Sequence, residues 1–253
     1  MIPSLNDLRL VGLEDLILHE AHDEDRLLRL RERIEDEGEQ RNPVIVSSQN
    51  GCCLVLDGAH RVRALQELGC SLALVQFVEP PETAESWAHL IEGVDLPQLR
   101  SIGEIELSER PRNRSLAELE TAGGEKIFLH SRKEGLLAEV QALWALQALY
   151  PEGVVVRRLE PDAPIKLAEG ETIIRYRSFT PGELIEIVRS GAVLPAGITR
   201  FRLRERVLGV RYPLTKMKNG NAPTRNAELK AFVERLWREN RIRYYKEPVV
   251  LFE

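Results

Sequence analysis

The apolar positions change their period along the chain, and each change marks an element. Leu10 to Leu18 is a short apolar segment that predicts a strand or turn leading into His19-Glu20. Leu27, Leu30 and Ile34 then recur at helical spacing, so a helix is expected from an Asp23 N-cap to about Glu37, with Gly38 as its stop. Pro43 to Ser48 and Cys52 to Leu56 are β-rich runs joined by Asn50-Gly51, a strong hairpin signal. A second helix is expected from Ala59 to Leu68, with Val62, Leu65 and Leu68 on one face and Gly69 at its end. Leu72 to Val78 predicts another strand, closed by Pro80-Pro81.

Beyond this point the spacing of Trp87, Leu90 and Ile91 predicts a short helix over Ala84 to Ile91. The polar stretch from Pro97 to Gly124 reads as a connection, with its Arg-Pro-Arg-Asn-Arg run at 110–114 and Gly123-Gly124. The second half predicts a strand at Lys126 to His130, a helix at Glu134 to Tyr150, and strands at Val154 to Leu159 and Thr172 to Phe179. Thr180-Pro181-Gly182-Glu183 is a capping box with proline at the first helical position, opening a helix to Ser190. Two more strands, a helix at Asn226 to Arg238 and a last strand at Tyr245 to Phe252 complete an α/β (α+β) pattern. The 253 residues suffice for two modest cores. The expected division is a first domain over 1–95, a linker over 96–125 and a second α/β domain over 126–253.

Composition narrows the class. The chain is 43% hydrophobic and 30% charged, ordinary for a globular protein. No run reaches the roughly 18 apolar residues of a membrane-spanning helix, and Met1 to Leu10 lacks a signal-peptide pattern, so a cytoplasmic protein is expected. Thirty-five basic against 40 acidic residues give a net charge of −5, which argues against a chain built to coat nucleic acid. The five arginines between Arg200 and Arg211 keep local DNA binding open without favouring it; a solvated face of paired strands is the preferred reading. Cys52, Cys53 and Cys70 show neither zinc-ligand nor disulfide spacing and read as buried thiols. His19, His22 and His89 form no metal-ligand spacing, and His130 reads as structural.

The chemistry concentrates at Val55-Leu56-Asp57-Gly58-Ala59-His60-Arg61, where a strand ends and a helix begins. The unpaired N–H groups and dipole of a helix start make such a place an anion site. Gly58 lets the backbone approach a phosphate, His60 and Arg61 add donors, and Asp57 can hold a magnesium ion that travels with nucleotide phosphates. The same residues read equally well as a plain helix start with Asp57 as N-cap.

The strand, hairpin, strand and Asp-Gly-Ala-His-Arg turn, followed by a helix ending in Leu-Gly, resemble the ParB/sulfiredoxin nucleotide-binding module over Leu10 to Val78. Sulfiredoxin chemistry needs a cysteine where this chain has Ala59, which rules it out here. ParB partitioning proteins continue into a helix-turn-helix domain, whereas this chain continues into alternating strands and helices. The whole length is similar instead to the free L-serine kinases, including siderophore-linked bacterial members. His19-Glu20 stands where that family has its catalytic glutamate, Trp87-Ala88-His89 resembles its substrate segment, and Ala196-Gly197-Ile198-Thr199-Arg200-Phe201 resembles its Thr-Arg motif.

The resemblance implies transfer of a phosphoryl group from ATP, or alternatively ADP, to free L-serine, with Mg2+ as cofactor. Glu20 would be the catalytic base, with Asp57 and His60 assisting. Asp57, Gly58, Ala59, His60 and Arg61 would bind nucleotide, Asp57 the metal, and Trp87, His89, Thr199 and Arg200 the serine. Read alone, Glu20 could simply precede an acidic helix, Trp87 pack in a core, and Thr199-Arg200 sit in a strand. Arg33 departs from the hydroxyl residue that the family often carries there, and Phe201 from the histidine of its archaeal members. The alternative reading is a nucleotide-gated DNA-binding regulator with little kinase activity. The sequence carries no signal of oligomeric state.

Overall fold

The register of the first apolar runs survives into tertiary structure with small shifts at their ends. The computed structural model describes residues 3–49, 51–79, 84–219 and 221–246. The chain first forms strands β1 (Leu8–Gly12) and β2 (Leu16–Ile17), helix α1 (Glu24–Glu37), strands β3 (Glu39–Gln40), β4 (Val44–Gln49) and β5 (Cys52–Asp57), helix α2 (Ala59–Glu67) and strand β6 (Leu72–Val78). Gly38 and Gly69, at φ +64° and +70°, end the two helices in the left-handed region, as their sequence positions predict. Strands β4 and β5 form the expected antiparallel hairpin, closing on Gln49 and Cys52; Asn50 of its turn lies outside the described residues, as do Pro80 and Pro81.

The chain next forms β7 (Glu85–Ser86), β8 (Ala88–Glu92), α3 (Leu96–Arg100), β9 (Ile105–Ser108), β10 (Ala117–Thr121), β11 (Lys126–Ser131), α4 (Leu136–Gln147), β12 (Arg157–Leu159), β13 (Glu171–Tyr176), α5 (Pro181–Arg189) and β14 (Thr199–Arg200). It closes with β15 (Tyr212–Pro213) and α6 (Ala222–Arg238). Tyr245 and Lys246 have no regular structure, and the rest of the strand expected there lies outside the described residues.

These elements divide into two units, one comprising Met1–Leu16, Glu24–Glu79 and Leu203–Glu253, the other Ile17–Asp23 and Pro80–Arg202. In the first unit the sheet order is β1-β6-β4-β5-β2. Strand β6 pairs antiparallel with β1 and parallel with β4, a parallel step made possible by the β5–α2 crossover. Leu74, Val75, Val44, Val46, Leu54, Val62 and Leu65 fill the core. Helix α6 is fixed to β1 by Asn226, whose amide accepts from the Leu10 N–H at 2.8 Å and donates to its carbonyl at 2.9 Å.

The second unit is built on an antiparallel sheet of order β12-β8-β13-β10-β11-β9. Its core takes Leu90, Ile91, Leu119, Leu129, Ile173 and Ile174 from the sheet and Leu143, Leu146, Leu184 and Ile187 from the helices. The capping box of α5 forms: Thr180 Oγ1 accepts the Glu183 N–H at 3.2 Å, and Glu183 accepts the Thr180 N–H at 2.9 Å.

Two expectations are corrected. Residues 84–91 form β7 and β8, not a helix. Strand β8 lies between β12 and β13 and is buried from Ala88 to Ile91, and a strand buried on both faces loses the alternation that distinguishes it from a helix. The stretch 96–125 is no linker but contains α3, β9 and β10, paired into the sheet. Leu116, Ala117 and Leu119 are buried among Glu118, Glu120 and other charged neighbours whose polarity masked the apolar positions. The α/β (α+β) class holds. Among the described residues no helix is long and apolar enough to cross a membrane.

Candidate active site

The residues singled out in the sequence fall into two groups, one in each unit. In the first unit, β5 delivers Asp57 and α2 begins at Ala59, with Gly58 between them at φ +106°. That left-handed conformation suits glycine, and the guanidinium of Arg61 packs 3.0–3.1 Å from where a Cβ would stand. No side chain caps the helix start; its first intrahelical bond is Val62 N–H to Gly58 O at 3.0 Å. The preceding N–H groups, of Ala59, His60 and Arg61, point out of the helix end.

Arg61 is a clamp as well as a cation. One of its nitrogens donates to the carbonyls of Asn42, at 3.2 Å, and Pro43, while another lies 3.4 Å from Asp57 Oδ2. Arg206, from the irregular segment before β15, donates to the same carboxylate oxygen. Burial pushes the Asp57 carboxyl up, but Arg61, Arg206 and Arg26 outweigh it and hold it below the usual carboxylate range. Beside this turn, a cavity of about 330 Å3 is lined by Arg26, Arg29, Arg33, Arg41, Asn42 and Arg61, with Glu37 as the one carboxylate among the lining residues. Arg26, Arg29 and Arg33 stand one, two and three turns along α1, so one helix face carries a row of guanidiniums.

In the second unit, the segment carrying Glu20 is bound edge-on to the chain before β14. Leu194 N–H donates to His19 O, and Ala21 N–H to Leu194 O, both at 2.8 Å. Glu20 therefore points along the loop that follows. Gly197 N–H donates to Glu20 Oε2 at 3.0 Å; Thr199 N–H and its hydroxyl both donate to Oε1, the hydroxyl at 2.5 Å. His19 donates from Nε2 to Thr199 Oγ1 at 2.7 Å, and Phe201 packs edge-on against the His19 ring at 5.7 Å. Three donors thus fix the orientation of one carboxylate.

Gly197 is glycine for two reasons. Its φ is +76°, and a Cβ there would collide with the guanidinium of Arg158. Its carbonyl accepts from His89 Nε2 at 2.7 Å. His89 is buried, and its other nitrogen meets the Tyr150 hydroxyl at 3.0 Å. Burial, and to a lesser degree Arg158, pull the His89 pKa down to about 4 against the bond to Gly197.

The four residues expected to contact substrate all have partners within their own unit. His89 has no surface to offer a ligand and serves the fold behind the loop. Thr199 commits its hydroxyl proton to Glu20. Arg200 lies 4.7 Å over the Trp87 ring and pairs with Glu160 and, at 3.7 Å, with Glu85. Trp87 is half-buried beneath that guanidinium. His130 is buried on Ser108 at 2.9 Å, the structural role expected of it, while Cys52 and Cys53 are only half-buried.

The sequence did not single out Arg26, Arg29, Arg41, Arg206 or Arg158, and Gly197 stood out only as part of the loop motif. The spacing of 26, 29 and 33 carried a legible signal, one helix face of like charge. Arg206 and Arg158 carried none, because only the fold brings them to their partners.

Comparisons with known proteins bear on the chain as a whole. No family model matches the chain. The chain is similar to the ATP-dependent L-serine kinase SbnI of Staphylococcus aureus (strain NCTC 8325 / PS 47), with 26% identity over 249 residues and 97% of each chain covered. Its structure is similar to that of SbnI with C-terminal truncation from Staphylococcus aureus, with a TM-score of 0.83 at 25% identity, covering 94% of this chain and all of that one. It also shares the fold of a free serine kinase in complex with AMP, with a TM-score of 0.66 at 23% identity over 83% of this chain and 93% of that one. The resemblance read in the sequence is borne out over 97% of the chain.

Proposed function

We propose that this chain is an ATP-dependent kinase of free L-serine, giving O-phospho-L-serine and ADP. The observation that carries the reading is Glu20: a half-buried carboxylate gripped by two backbone amides and a hydroxyl, in a chain similar along its length to a serine kinase.

In this reading the first unit holds the donor. Gly58 admits the phosphate chain to the start of α2, where the N–H groups of Ala59, His60 and Arg61 meet it, and the His60 side chain adds a donor. The guanidiniums of Arg29, Arg33 and Arg41 supply the charge that a triphosphate requires, which favours ATP over ADP. Among the described residues no group of three or more His, Cys, Asp or Glu could cage a metal. A lone Asp57 still fits Mg2+, which commonly takes one carboxylate and completes its shell with water and phosphate oxygens. When bound it would supply further neutralisation of phosphate charge. Arg206 would then turn from Asp57 to the phosphates.

The second unit holds the acceptor and the base. Serine's hydroxyl is a weak nucleophile at neutral pH, so transfer needs alignment and a destination for its proton. Glu20 accepts that proton as the serine oxygen bonds to the terminal phosphorus and the bond to the departing ADP oxygen breaks. Arg200 holds the serine carboxylate by exchanging it for Glu160, with Trp87 as the wall behind. Thr199 contributes through the base it holds. The product would feed siderophore or amino-acid biosynthesis, in a cytoplasmic setting where ATP and free serine are both available.

Purified protein with serine, Mg2+ and either ATP or ADP should form phosphoserine with ATP, read by phosphorus NMR. Absence of product with both nucleotides overturns the reading. Under the regulator alternative, Arg200, Arg202, Arg206 and Arg211, each paired with a carboxylate of its own unit, would have to exchange those partners for DNA phosphates, and salt-dependent retention of DNA without phosphoserine would favour that reading.

A further inference from the structure

The loop that grips Glu20 is itself held from behind by side chains that the proposed chemistry does not use. Resting on the kinase reading, we infer that His89, Tyr150 and Tyr176 form a positioning device for Glu20: a hydrogen-bond chain that fixes Gly197 and, through it, the carboxylate.

Each donor in the chain follows from chemistry. The Gly197 carbonyl can only accept, so His89 donates to it from Nε2, at 2.7 Å. The ring is neutral near pH 7, so Nδ1 carries a lone pair and takes the hydroxyl proton of Tyr150, at 3.0 Å. Tyr150 then accepts from the Tyr176 hydroxyl. Burial raises both phenols, so both keep their protons. The His89 ring stands edge-on to Tyr150 at 5.9 Å and to Tyr176 at 5.0 Å, which blocks its rotation.

The other end of the chain is the base. Gly197 offers its carbonyl to His89 and its N–H to Glu20 Oε2. The peptide that carries this N–H is held at its opposite end by Gln147 of α4, which donates to Ala196 O at 3.3 Å. Strand β8, helix α4 and strand β13 thus converge on one loop residue. Two buried polar side chains and a half-buried third would be a costly way to fill space that apolar residues could fill, since each needs its partners met. Here every partner leads toward the carboxylate.

Tyr150→Phe removes one hydroxyl and keeps the ring, His89→Leu removes both of its polar contacts, and His89→Gln keeps a donor and an acceptor. Tyr150→Phe and His89→Leu should lower kcat about tenfold to a hundredfold, the scale of a sub-ångström misplacement. KM for ATP and serine should stay within about twofold, the pattern of an interaction used only in the transition state. His89→Gln should recover most of the loss. In a Glu20→Gln background the same substitutions should change residual turnover little, because they act through that carboxylate. Equal fold-losses in both backgrounds, or a raised serine KM at unchanged kcat, would overturn the device. Tyr150→Phe carries the test should His89→Leu fail to fold. A readout independent of turnover is the nitrogen-15 spectrum, which should show His89 as the Nε2–H tautomer and the Gly197 amide moving in Tyr150→Phe. An unmoved Gly197 amide defeats the device even in an active kinase. A moved amide in a protein that makes no phosphoserine defeats the kinase reading instead and leaves the coupling standing.

Discussion

The two units handle charge in opposite ways. In the first, guanidiniums from α1, α2 and the segment before β15 gather at one turn, and a single carboxylate, Asp57, is shared between Arg61 and Arg206. In the second, the carboxylate of Glu20 is gripped mainly by backbone, and the His89 ring behind it is buried and neutral. Long cations on an open surface swing, exchange partners and respond to salt. A carboxylate seated on peptide groups moves only if the backbone moves. The first arrangement suits a multiply charged ligand that comes and goes; the second suits a group whose position must not drift.

The contrast can be broken in four ways, from the largest expected effect to the smallest. Glu20→Gln should lower turnover by roughly 10²-fold or more, the scale for a general base, while leaving ATP affinity by calorimetry unchanged. A matching loss of ATP affinity would mean that the division of labour is wrong.

Acid should expose the second unit's dependence on a neutral histidine. The folded-state pKa of His89, about 4, lies below its ordinary 6.5, so the unfolded chain binds the proton first as pH falls. Its contribution is full above pH 6.5 and is lost between 6.5 and about 4, on the order of 3 kcal/mol for this nearly fully buried ring. Denaturant titrations across that range should show a shallower pH dependence for His89→Gln. An unchanged slope would assign the acid sensitivity elsewhere.

Removing Arg29 and Arg33 together should weaken ATP binding about tenfold or more, since one charge-assisted hydrogen bond is worth ~1.5–3 kcal/mol. The loss should be smaller for AMP, and the salt dependence of ATP binding should flatten. An equal loss for AMP and ATP would place these arginines away from the terminal phosphates.

Gly197→Ala should cost about 1–2 kcal/mol from the left-handed backbone alone, with its thermal midpoint lowered. It should also reduce kcat through Glu20 while sparing nucleotide affinity. Loss of stability without loss of turnover would show that the grip on Glu20 tolerates strain at Gly197.

Legibility differed between the units for the same physical reasons. The hairpin, both early helices and the Asp57–Arg61 turn were readable because local signals decide them: a Gly at each helix end, a short apolar run, a strand meeting a helix start. The sheet of the second unit was harder. Strand β8 carries no alternation because both its faces are covered, and β10 hides Leu119 between Glu118 and Glu120.

The sequence by itself determined the strand-to-helix turn at Asp57–Arg61, the capping box at Thr180 and the order along the chain of Glu20 and the loop motif, since these rest on contacts between near neighbours or on a pattern of residues in order. Tertiary structure alone decided that Arg206 would sit on Asp57, that Thr199 would serve the base instead of the substrate, and that His89 would face inward toward Gly197. Those partners lie 108 to 179 residues apart, and a hydrogen bond across such a distance exists only once the sheets between them have fixed which side chains face one another.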